Sequence, residues 1–325
     1  MILLDPNVYL WIIAAALAVL TLVLVLPCRN KRRKRLRRIT PLVVLLAWGA
    51  FYYGAFVEPK QLTVRHVELD FSDLPEAFDG YKIVLFSDLH LGSLTDGREE
   101  MVQHVVDSIN AQQADLVAFT GDLQNREPEE IMPFVPLLSS IKATNGVCSV
   151  MGNHDYTMYL RSDDPFLISR NLGLTTGLHD EMNWTLLNNT RLVIRRDSAR
   201  IVISGMENDG EGRFPELGNV NEALWGISRD DFVVMLEHDP TAWRRKILPH
   251  SHTQLTLSGH THGGQVALLG WSPASLFYHE TGGLYEIAGR RLYVTTGVAG
   301  VVPFRLGVSP EIVVITLKSS KSTAK

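Results

Sequence analysis

The sequence predicts an α/β protein with covered sheets, joined at its N-terminus to a transmembrane helical hairpin. Three observations carry this prediction. Two apolar stretches without a charge flank a basic run inside the first 57 residues. From residue 58 onward, short runs rich in Val, Ile and Leu recur without polar alternation, which is typical of strands buried on both faces. Helical patterns separate the first few runs, and the order strand, helix, strand indicates an α/β architecture.

The two apolar stretches predict membrane spans at about residues 8–27 and 41–57. The first reads VYLWIIAAALAVLTLVLVLP, and ~20 residues at ~1.5 Å rise per residue cross the ~30 Å hydrocarbon core of a bilayer. The second, PLVVLLAWGAFYYGAFV, is shorter but also lacks a charge. A helix lying in the membrane interface is the alternative structure for this second stretch.

The basic run CRNKRRKRLRR between the two stretches sets the predicted orientation. Positively charged loops stay in the cytoplasm, so everything after residue 57 is expected on the outer side of the membrane. Tyr9 and Trp11 would then meet Tyr52 and Tyr53 in an aromatic belt at the outer interface. A cleaved signal peptide would carry its charges before the apolar region. If the second stretch does not cross the membrane, the body faces the cytoplasm instead.

Charge and cysteine content narrow the function classes. The first 57 residues carry eight basic side chains against one acidic side chain, a net charge of +7, which leaves −11 for the rest of a chain whose total is −4. Because nucleic acids require a positive surface, no nucleic-acid partner is expected for this acidic body. The two cysteines, Cys28 and Cys148, offer no disulfide framework.

The body is predicted to contain a connector at residues 58–79, an α/β domain at 80–318 and a disordered tail at 319–325. The connector leads into a strand and a turn. Helical patterns occur in REEMVQHVVDSINAQQ and in PEEIMPFVPLLSSI, where Pro133 and Pro136 are expected to break or kink the helix. Eight runs are predicted to be strands: YKIVLFSDLH, DLVAFTGD, VCSVMGNHD, ARIVISGMEN, DFVVMLEHD, LTLSGHTH, RLYVTTG and EIVVITL.

Polar side chains of metal-binding type follow five of these predicted strands. Ligands of α/β folds bind outside the carboxyl ends of strands, so these side chains are expected to share one site. Residues i and i+2 of an extended chain point to the same side, which brings Asp88 beside His90 and His260 beside His262. Glycines precede three of the groups and are expected to let the backbone turn sharply. The candidate ligands are Asp88, His90, Asp122, Asn153, His238, His260 and His262.

The donor types indicate which metals these side chains would bind. Aspartate and asparagine oxygens mixed with imidazoles suit Mn, Fe or Zn, and Mg is the remaining candidate. Seven ligands are too many for one ion with an open coordination position. Two divalent ions about 3.5–4 Å apart would use them all, and such a pair is the known clamp for in-line displacement at phosphorus.

The blocks D-x-H, G-D, G-N-H-D, a lone His and G-H-x-H, in this order, resemble those of the calcineurin-like metallophosphoesterase family. The match covers roughly residues 80–320. The phrases LPEAFDGYKIVLFSDLHLG and TTGVAGVVPFRLGVSPEIVVITL further resemble the bacterial membrane-anchored or exported branch of the family. The resemblance implies a four-layer α/β/β/α sandwich, in which helices flank two mixed sheets, following the N-terminal transmembrane hairpin. With the orientation predicted above, it also implies a bacterial inner (plasma) membrane with the domain on the periplasmic side.

The resemblance also implies roles for the site residues. One ion would be held by Asp88, His90 and His262. The other would be held by Asn153, His238 and His260, and Asp122 would bridge the two. His154 would lie near the leaving group as a general acid, or would steady charge on the phosphoryl oxygens. Two further side chains are candidates for supporting roles: Arg305 for a substrate phosphate, and Asp155 for orienting His154 or capping a following helix.

The expected activity is hydrolysis of a phosphodiester, pyrophosphate or phosphomonoester by a hydroxide that bridges the two ions. Anchoring raises the local concentration of membrane substrates, so a lipid-linked or membrane-proximal substrate in the bilayer is expected. Three alternatives stay open: a cytoplasm-facing UDP-diacylglucosamine pyrophosphate hydrolase of lipid A synthesis, a cyclic-nucleotide phosphodiesterase, and a non-catalytic scaffold of the same fold. The sequence does not indicate the oligomeric state.

Overall fold

The structure of the protein is a computed structural model that describes residues 3–25, 39–95 and 97–320. The strands are β1 Thr63–Phe71, β2 Tyr81–Phe86, β3 Leu116–Phe119, β4 Val147–Ser149, β5 Trp184–Leu186, β6 Thr190–Arg196, β7 Ala199–Gly205, β8 Phe232–Leu236, β9 Leu255–Ser258, β10 Gly283–Ile287, β11 Arg290–Val294 and β12 Glu311–Ser319. The α-helices are α1 Pro6–Val25, α2 Thr40–Tyr52, α3 Glu100–Ala111, α4 Val135–Leu138, α5 Pro165–Glu181, α6 Val220–Ala223 and α7 Leu248–His250.

The strands form two six-stranded mixed sheets. The first has the order β1-β12-β2-β3-β4-β5, and only the pair β12 and β2 is antiparallel within it. The second has the order β10-β11-β9-β8-β7-β6, with antiparallel pairs at its two edges. All eight strands predicted from apolar runs are present, and the second predicted helix is broken into short turns, as its prolines required.

The two sheets stack face to face with helices on their outer faces. Along β2, Ile83 and Leu85 pack into the core between the sheets, whereas Val84 and Phe86 pack on the other side against α3. This is the period-two alternation of a strand buried on both faces. Side chains on the outer face of the second sheet pack against α6 and the helical turn Trp243–Ile247. The four-layer α/β/β/α sandwich is thereby confirmed.

The two N-terminal helices lie side by side. By length and composition, α1 (20 residues) and the continuous helical segment Thr40–Lys60 (21 residues), which begins with α2, are both long and apolar enough to cross a bilayer. The indole nitrogen of Trp48 in α2 donates a hydrogen bond of 3.2 Å to the hydroxyl of Thr21 in α1. After Tyr52 the second helix continues through a π-helical turn and a short 3₁₀ turn to Lys60. The basic run and Cys28 lie outside the described residues.

The start of α1 and the end of the second helix meet the same α/β domain. Near the start of α1, Asn7 accepts hydrogen bonds of 3.2 Å from the guanidinium of Arg98. After α2, the carbonyl of Gly54 accepts a hydrogen bond of 2.9 Å from the backbone N–H of Arg305. The buried carboxylate of Glu58 accepts the backbone N–H of a neighbouring loop at 2.8 Å. The helix pair is therefore fixed to the domain at one end.

Two predicted boundaries need correction. The connector at residues 58–79 contains β1, which pairs with β12 over nine residues and belongs to the first sheet. The α/β domain therefore begins before residue 80. At the other end, Ser319 is the last residue of β12 and is buried, so the domain extends past residue 318. Residues 321–325 of the predicted tail lie outside the described residues.

Candidate metal centre

All seven candidate ligands lie at one edge of the sandwich, because five strand ends meet there. β2, β3 and β4 are adjacent parallel strands of the first sheet, and the chain leaves them towards Asp88, Asp122 and Asn153. β8 and β9 are adjacent parallel strands of the second sheet and lead to the candidate histidines. The strand-end argument made from sequence therefore predicted the location of the site.

The ligand atoms fall into three overlapping groups, and within each group they lie no more than 4.8 Å apart. Asp122 belongs to two of the groups. Its Oδ2 lies 3.5 Å from Nε2 of His90 and 3.2 Å from Nε2 of His238. This carboxylate thus stands between two clusters of donors. The groups are Asp88, His90 and His262; His90, Asp122 and His154; and Asp122, His238 and His260.

Nε2 of His238 is the point at which one cluster converges. It lies 3.2 Å from Oδ1 of Asn153, 3.2 Å from Nδ1 of His260 and 3.2 Å from Oδ2 of Asp122. Each of these atoms carries a lone pair, and one shared proton cannot satisfy all of them. A divalent cation bound among the four atoms would satisfy them together. The donor set at this position therefore fits a metal ion.

The histidines of the other cluster point to the same conclusion. Neither ring nitrogen of His90 makes a hydrogen bond of ordinary geometry with any residue that the structure describes, although the ring is fully buried. Within the same described residues, Nδ1 of His262 also lacks a partner. Buried polar atoms are normally hydrogen-bonded, and exceptions call for an explanation. Coordination to a cation would explain why these two rings, which lie beside the carboxylate of Asp88, lack hydrogen-bond partners.

The backbone is strained at the ligand positions. The left-handed region is uncommon for residues other than glycine, and it costs of order 1–3 kcal/mol unless the surrounding structure enforces it. Five candidate ligands adopt it, with φ between 40° and 71°. Such outliers cluster at functional sites, because strain persists where it aims side chains at one point. The five residues are Asp88, His90, Asp122, His260 and His262.

Two of the predicted glycines serve close packing rather than a turn. A Cβ at Gly152 would overlap the carboxylate of Asp122. A Cβ at Gly259 would overlap the side chains of Ser87 and Asp88. Neither glycine has a positive φ, so the sharp-turn explanation holds only for Gly121, whose φ is 96°.

Burial and neighbouring charges shift the pKa values of the site residues in different directions. Burial raises the pKa of Asp88 to about 7, which His238 partly offsets, because this carboxylate lacks a full compensating charge. It also lowers the pKa of His90 to about 3 and holds the pKa of His262 well below its usual value. Burial opposes the ionised form of Asp122, but His238 and His154 outweigh it and hold that pKa well below the ordinary range. Burial also opposes the charged form of His238, but Asp122 outweighs it and raises the pKa of that ring to about 10. His90 and His262 are therefore in the neutral form that coordinates a divalent metal, whereas a metal would have to displace protons from His238 and Asp88.

Comparison with known proteins agrees with this geometry. The profile of the calcineurin-like phosphoesterase family matches residues 81–264, more than half of the chain. The chain belongs to this family. It is therefore a metal-dependent phosphoester hydrolase, and its family uses dinuclear metal centres.

Several relatives resemble most of the chain. An uncharacterized metallophosphoesterase of Bacillus subtilis, YkuE, is 29% identical over 85% of this chain and 92% of its own length. A transmembrane protein with metallophosphoesterase domain from Bos taurus is 32% identical over 90% of this chain, which spans 65% of that protein. A solved dimetal phosphatase from Danio rerio covers 68% of this chain and 88% of its own at 14% identity, with a TM-score of 0.38. The apolar helices and the transmembrane relatives together indicate membrane association.

Hydrogen bonds from outside the ligand set orient two rings of this metallophosphoesterase. Nδ1 of His238 lies 2.7 Å from the carbonyl of Thr120, so Nδ1 carries the proton and Nε2 faces the site. Nε2 of His260 lies 3.0 Å from the hydroxyl of Tyr278 and 3.4 Å from a carboxylate oxygen of Asp239. Sequence reasoning did not find Tyr278, because it follows a long loop and belongs to no motif.

Asp155 has neither of the two predicted roles. Its buried carboxylate accepts four backbone N–H groups, at 2.8–3.2 Å, from residues 122–124 and from Gly152. It therefore ties the loop after β3 to the loop after β4, and each of these loops carries a candidate ligand. No motif indicates this contact, since three of the four donors are backbone groups about thirty residues away.

His154 lies beside His90 and Asp122. Its Nδ1 is 2.7 Å from the carbonyl of Asn125, and its backbone N–H donates to Oδ1 of Asp122 at 2.9 Å. Its ring packs between those of His90 and Tyr159, at centroid distances of 4.5 and 4.1 Å. Since Nδ1 is occupied, Nε2 is the nitrogen left for proton transfer.

Arg305 does not have the predicted substrate contact. Its guanidinium is fully buried and donates to backbone carbonyls of Thr296, Gly297, Ala299 and Val308 at 2.6–3.3 Å. Burial lowers the pKa of this guanidinium to about 10, but the group stays charged near neutral pH. Its donors are used to hold the loop after β11, so the arginine is structural and is not placed to bind a phosphate.

Proposed function

We propose that this protein is a membrane-anchored, dinuclear-metal-dependent phosphoesterase that hydrolyses a phosphodiester, pyrophosphate or phosphomonoester of a lipid-linked or membrane-proximal substrate. The observation that carries this proposal is the placement of Asp122 between two clusters of buried nitrogen and oxygen donors. Mn, Fe or Zn suits this mixed donor set best, and Mg is the remaining candidate. A non-catalytic scaffold would not need the left-handed strain at five ligand positions.

Each cluster would hold one ion through the residues already named. Asp88, His90 and His262 form one donor set, Asn153, His238 and His260 form the other, and Asp122 belongs to both. When bound, two divalent cations supply Lewis acidity and lower the pKa of bound water towards neutrality. The chain contributes the fixed orientations of the His238 and His260 rings, the ionised carboxylate of Asp122 and a buried setting in which charge interactions are strong.

His154 would act on the leaving group. The hydrogen bond to the Asn125 carbonyl places the proton of the neutral ring on Nδ1, which leaves a lone pair on Nε2. To donate from Nε2, the ring must take a second proton. Burial lowers the pKa of His154, whereas the charge of Asp122 acts in the opposite direction. An anionic phosphoester beside the ring would also favour the protonated form, and the proton would then pass to the departing oxygen.

A cavity of about 240 Å³ at the junction of the helix pair and the α/β domain supports a membrane-proximal substrate. Leu10 and Phe56 line it from the two helices. Leu94 and Gln265 line it from the loops that follow His90 and His262. The apolar helices and the loops of the metal centre thus border one space. A substrate with an apolar chain and a phosphoester headgroup matches this arrangement.

We place the α/β domain on the outer, periplasmic side of the inner membrane. The basic run between the helices favours a cytoplasmic loop, and the opposite ends of both helices contact the domain. A periplasmic phosphatase reporter fused after residue 320 should be active, and a fluorescent reporter that matures only in the cytoplasm should be dark. The reverse pattern would instead favour a cytoplasm-facing pyrophosphate hydrolase acting at the inner leaflet.

The activity is tested on the full-length chain in lipid nanodiscs. Metal-depleted protein is reloaded with each metal in turn and assayed on an aryl phosphodiester, an aryl phosphomonoester and a panel of lipid phosphoesters. We expect hydrolysis that depends on the added metal. His250→Ala is the matched control, because His250 is exposed and its ring hydrogen-bonds to the carbonyl of Lys246 in the preceding helical turn. Metal-loaded protein that cleaves none of the esters would refute the enzymatic proposal.

A further inference from the structure

An uncharged loop next to the metal centre exposes large apolar side chains. No residue from 263 to 278 carries a charge. Within this segment Leu269 is 100% exposed, Phe277 83% and Leu268 74%, and Trp271 and Leu276 are also exposed. We call residues 268–277 the apolar loop. Soluble surfaces rarely leave such a group of side chains together in water, so the apolar loop is expected to have a partner.

The apolar loop has a defined conformation. Leu268 and Trp271 exchange backbone hydrogen bonds of 2.9 and 3.0 Å, which close a tight turn with Leu269 at its tip. The hydroxyl of Ser272 then accepts the backbone N–H of Ala274 at the start of a 3₁₀ turn. The apolar side chains are consequently presented by a hydrogen-bonded framework.

The base of the apolar loop is joined to the segment that contacts the second apolar helix. The backbones of Ala267 and Leu306 are hydrogen-bonded at 2.8 Å. Two residues before Leu306, the ring of Phe304 stacks on that of Phe51 in α2, at a centroid distance of 6.2 Å. The tip residue Leu269 is only two residues beyond Ala267. The apolar loop therefore begins at the level where α2 meets the domain.

We propose that the apolar loop docks into the interface of the same bilayer leaflet that borders the domain, as a third membrane contact beside the two helices. Its chemistry fits this partner, because leucine and aromatic side chains without neighbouring charges are the ones that enter the headgroup and acyl boundary. Tryptophan and other aromatic rings are enriched at that depth. Continuity with the Phe51 contact sets the loop level with Phe51, which lies six residues before the end of the predicted second span at residue 57.

This docking would turn the opening of the metal centre towards lipid. His260 and His262 are the candidate ligands with partial exposure, so the site opens on their side. Phe277 in the apolar loop directly precedes Tyr278, whose hydroxyl contacts His260. Tyr278, which orients the candidate ligand His260, thus directly follows the apolar loop that would enter the membrane. This consequence, unlike the docking itself, rests on the proposed phosphoesterase function.

The docking is tested with fluorescent labels on the full-length chain in zwitterionic nanodiscs. The Cys28→Ser background leaves Cys148, which is buried and has a raised pKa, so it is unreactive. A Leu269→Cys variant is labelled with an environment-sensitive dye, and the matched control is Trp225→Cys. Trp225 is 75% exposed and follows α6, which packs on β6 at one edge of the second sheet. The apolar loop precedes β10, the strand at the other edge. Six strands at ~4.8 Å spacing separate these edges by ~24 Å.

The dye at position 269 should show blue-shifted emission and should be quenched by lipids that are spin-labelled near the headgroup. The dye at position 225 should show neither effect. Equal exposure of both dyes to water would overturn the proposal. A blue shift at 269 without lipid quenching would also overturn it, since a protein surface would then cover the loop.

A second variant tests the link between docking and catalysis. Leu269→Asp should lower hydrolysis of a bilayer-embedded lipid phosphoester about tenfold, the equivalent of losing the burial of one leucine. Hydrolysis of a soluble aryl phosphodiester should stay unchanged, because Leu269 touches no candidate ligand. The Leu269→Asp variant could match the parent on the lipid ester while the dye of the Leu269→Cys variant is still quenched by lipid. This result would overturn the link between docking and substrate access and would leave the docking itself supported. Loss of both activities would contradict the peripheral role of the loop.

Discussion

The two halves of the metal centre are built differently. In the half formed by His238 and His260, the Thr120 carbonyl and the Tyr278 hydroxyl each hold the ring nitrogen that faces away from the site. In the half formed by His90 and His262, neither nitrogen of His90 makes an ordinary hydrogen bond within the described residues. One half is therefore oriented by the protein, and the other would be oriented mainly by the ion that it binds.

This difference predicts unequal metal affinity. Partners that fix the tautomer and the direction of a ligating histidine typically contribute 10–100-fold to metal affinity. The half formed by His238 and His260 should bind its ion more tightly than the half formed by His90 and His262. A chelator should then remove the metal in two steps. The ion of the His90 half should leave first, at the lower chelator concentration.

Asp122→Ala should have the largest effect, because this carboxylate belongs to both halves. We expect both ions to be lost and hydrolysis to fall by more than about 10³-fold, since a catalytic metal contributes several kcal/mol of transition-state stabilisation. Elemental analysis and turnover of an aryl phosphodiester measure the two losses. Asp107→Ala, at an exposed position on α3, is the matched control. A variant that keeps two ions would contradict the shared position of Asp122.

Asp155→Asn should destabilise the two loops that carry Asp122 and Asn153. The substitution replaces a carboxylate that accepts four N–H groups with an amide that can accept through one oxygen only. Hydrogen bonds to charged groups contribute roughly 1.5–3 kcal/mol each and are not additive, so we expect a loss of about 3 kcal/mol in the free energy of unfolding. Thermal unfolding of metal-free protein measures it. An unchanged melting temperature would show that the two loops do not depend on Asp155.

His154→Ala should leave both halves metal-loaded and slow turnover by ~10²-fold, the usual contribution of a positioned acid. The effect should be largest for esters with poor leaving groups, because an activated leaving group needs no proton. Elemental analysis checks the occupancy, and comparison of an alkyl with an aryl ester checks the leaving-group dependence. Undiminished turnover of the alkyl ester with two bound ions would rule out the acid role.

Eight strands, and the meeting of the candidate ligands at one edge, were predictable from one feature, the polar cluster at the end of a continuous apolar run. The strands that it missed are edge or short strands. β6 and β10 have alternating or partial burial and carry charged side chains, and β5 has only three residues. Edge strands pack on fewer sides, so their apolar pattern is weaker. The helix α5 was missed as well, because its glycines and threonines are poor helix formers.

The contacts around the ligands could not be predicted for a different reason. Asp155 and Tyr278 act through backbone groups and through a loop, so their partners depend on chain geometry that no motif records. Arg305 shows the opposite case, in which a charged residue next to a motif was given a functional role. Its four carbonyl acceptors lie within nine residues of the chain, and only the folded loop shows that they surround the guanidinium.

Tyr278→Phe tests the difference between the halves with the smallest change. It removes one hydroxyl, which contacts His260 at 3.0 Å, and keeps the ring that packs against it. We expect the tighter ion to bind about tenfold more weakly, at the low end for such partners because Asp239 also lies near Nε2. In a chelator titration followed by elemental analysis, the chelator concentrations at which the two ions leave should then lie closer together than in the unchanged protein. If the two steps stay as far apart as in the unchanged protein, the hydroxyl does not set the affinity, and the asymmetry must come from the Thr120 carbonyl.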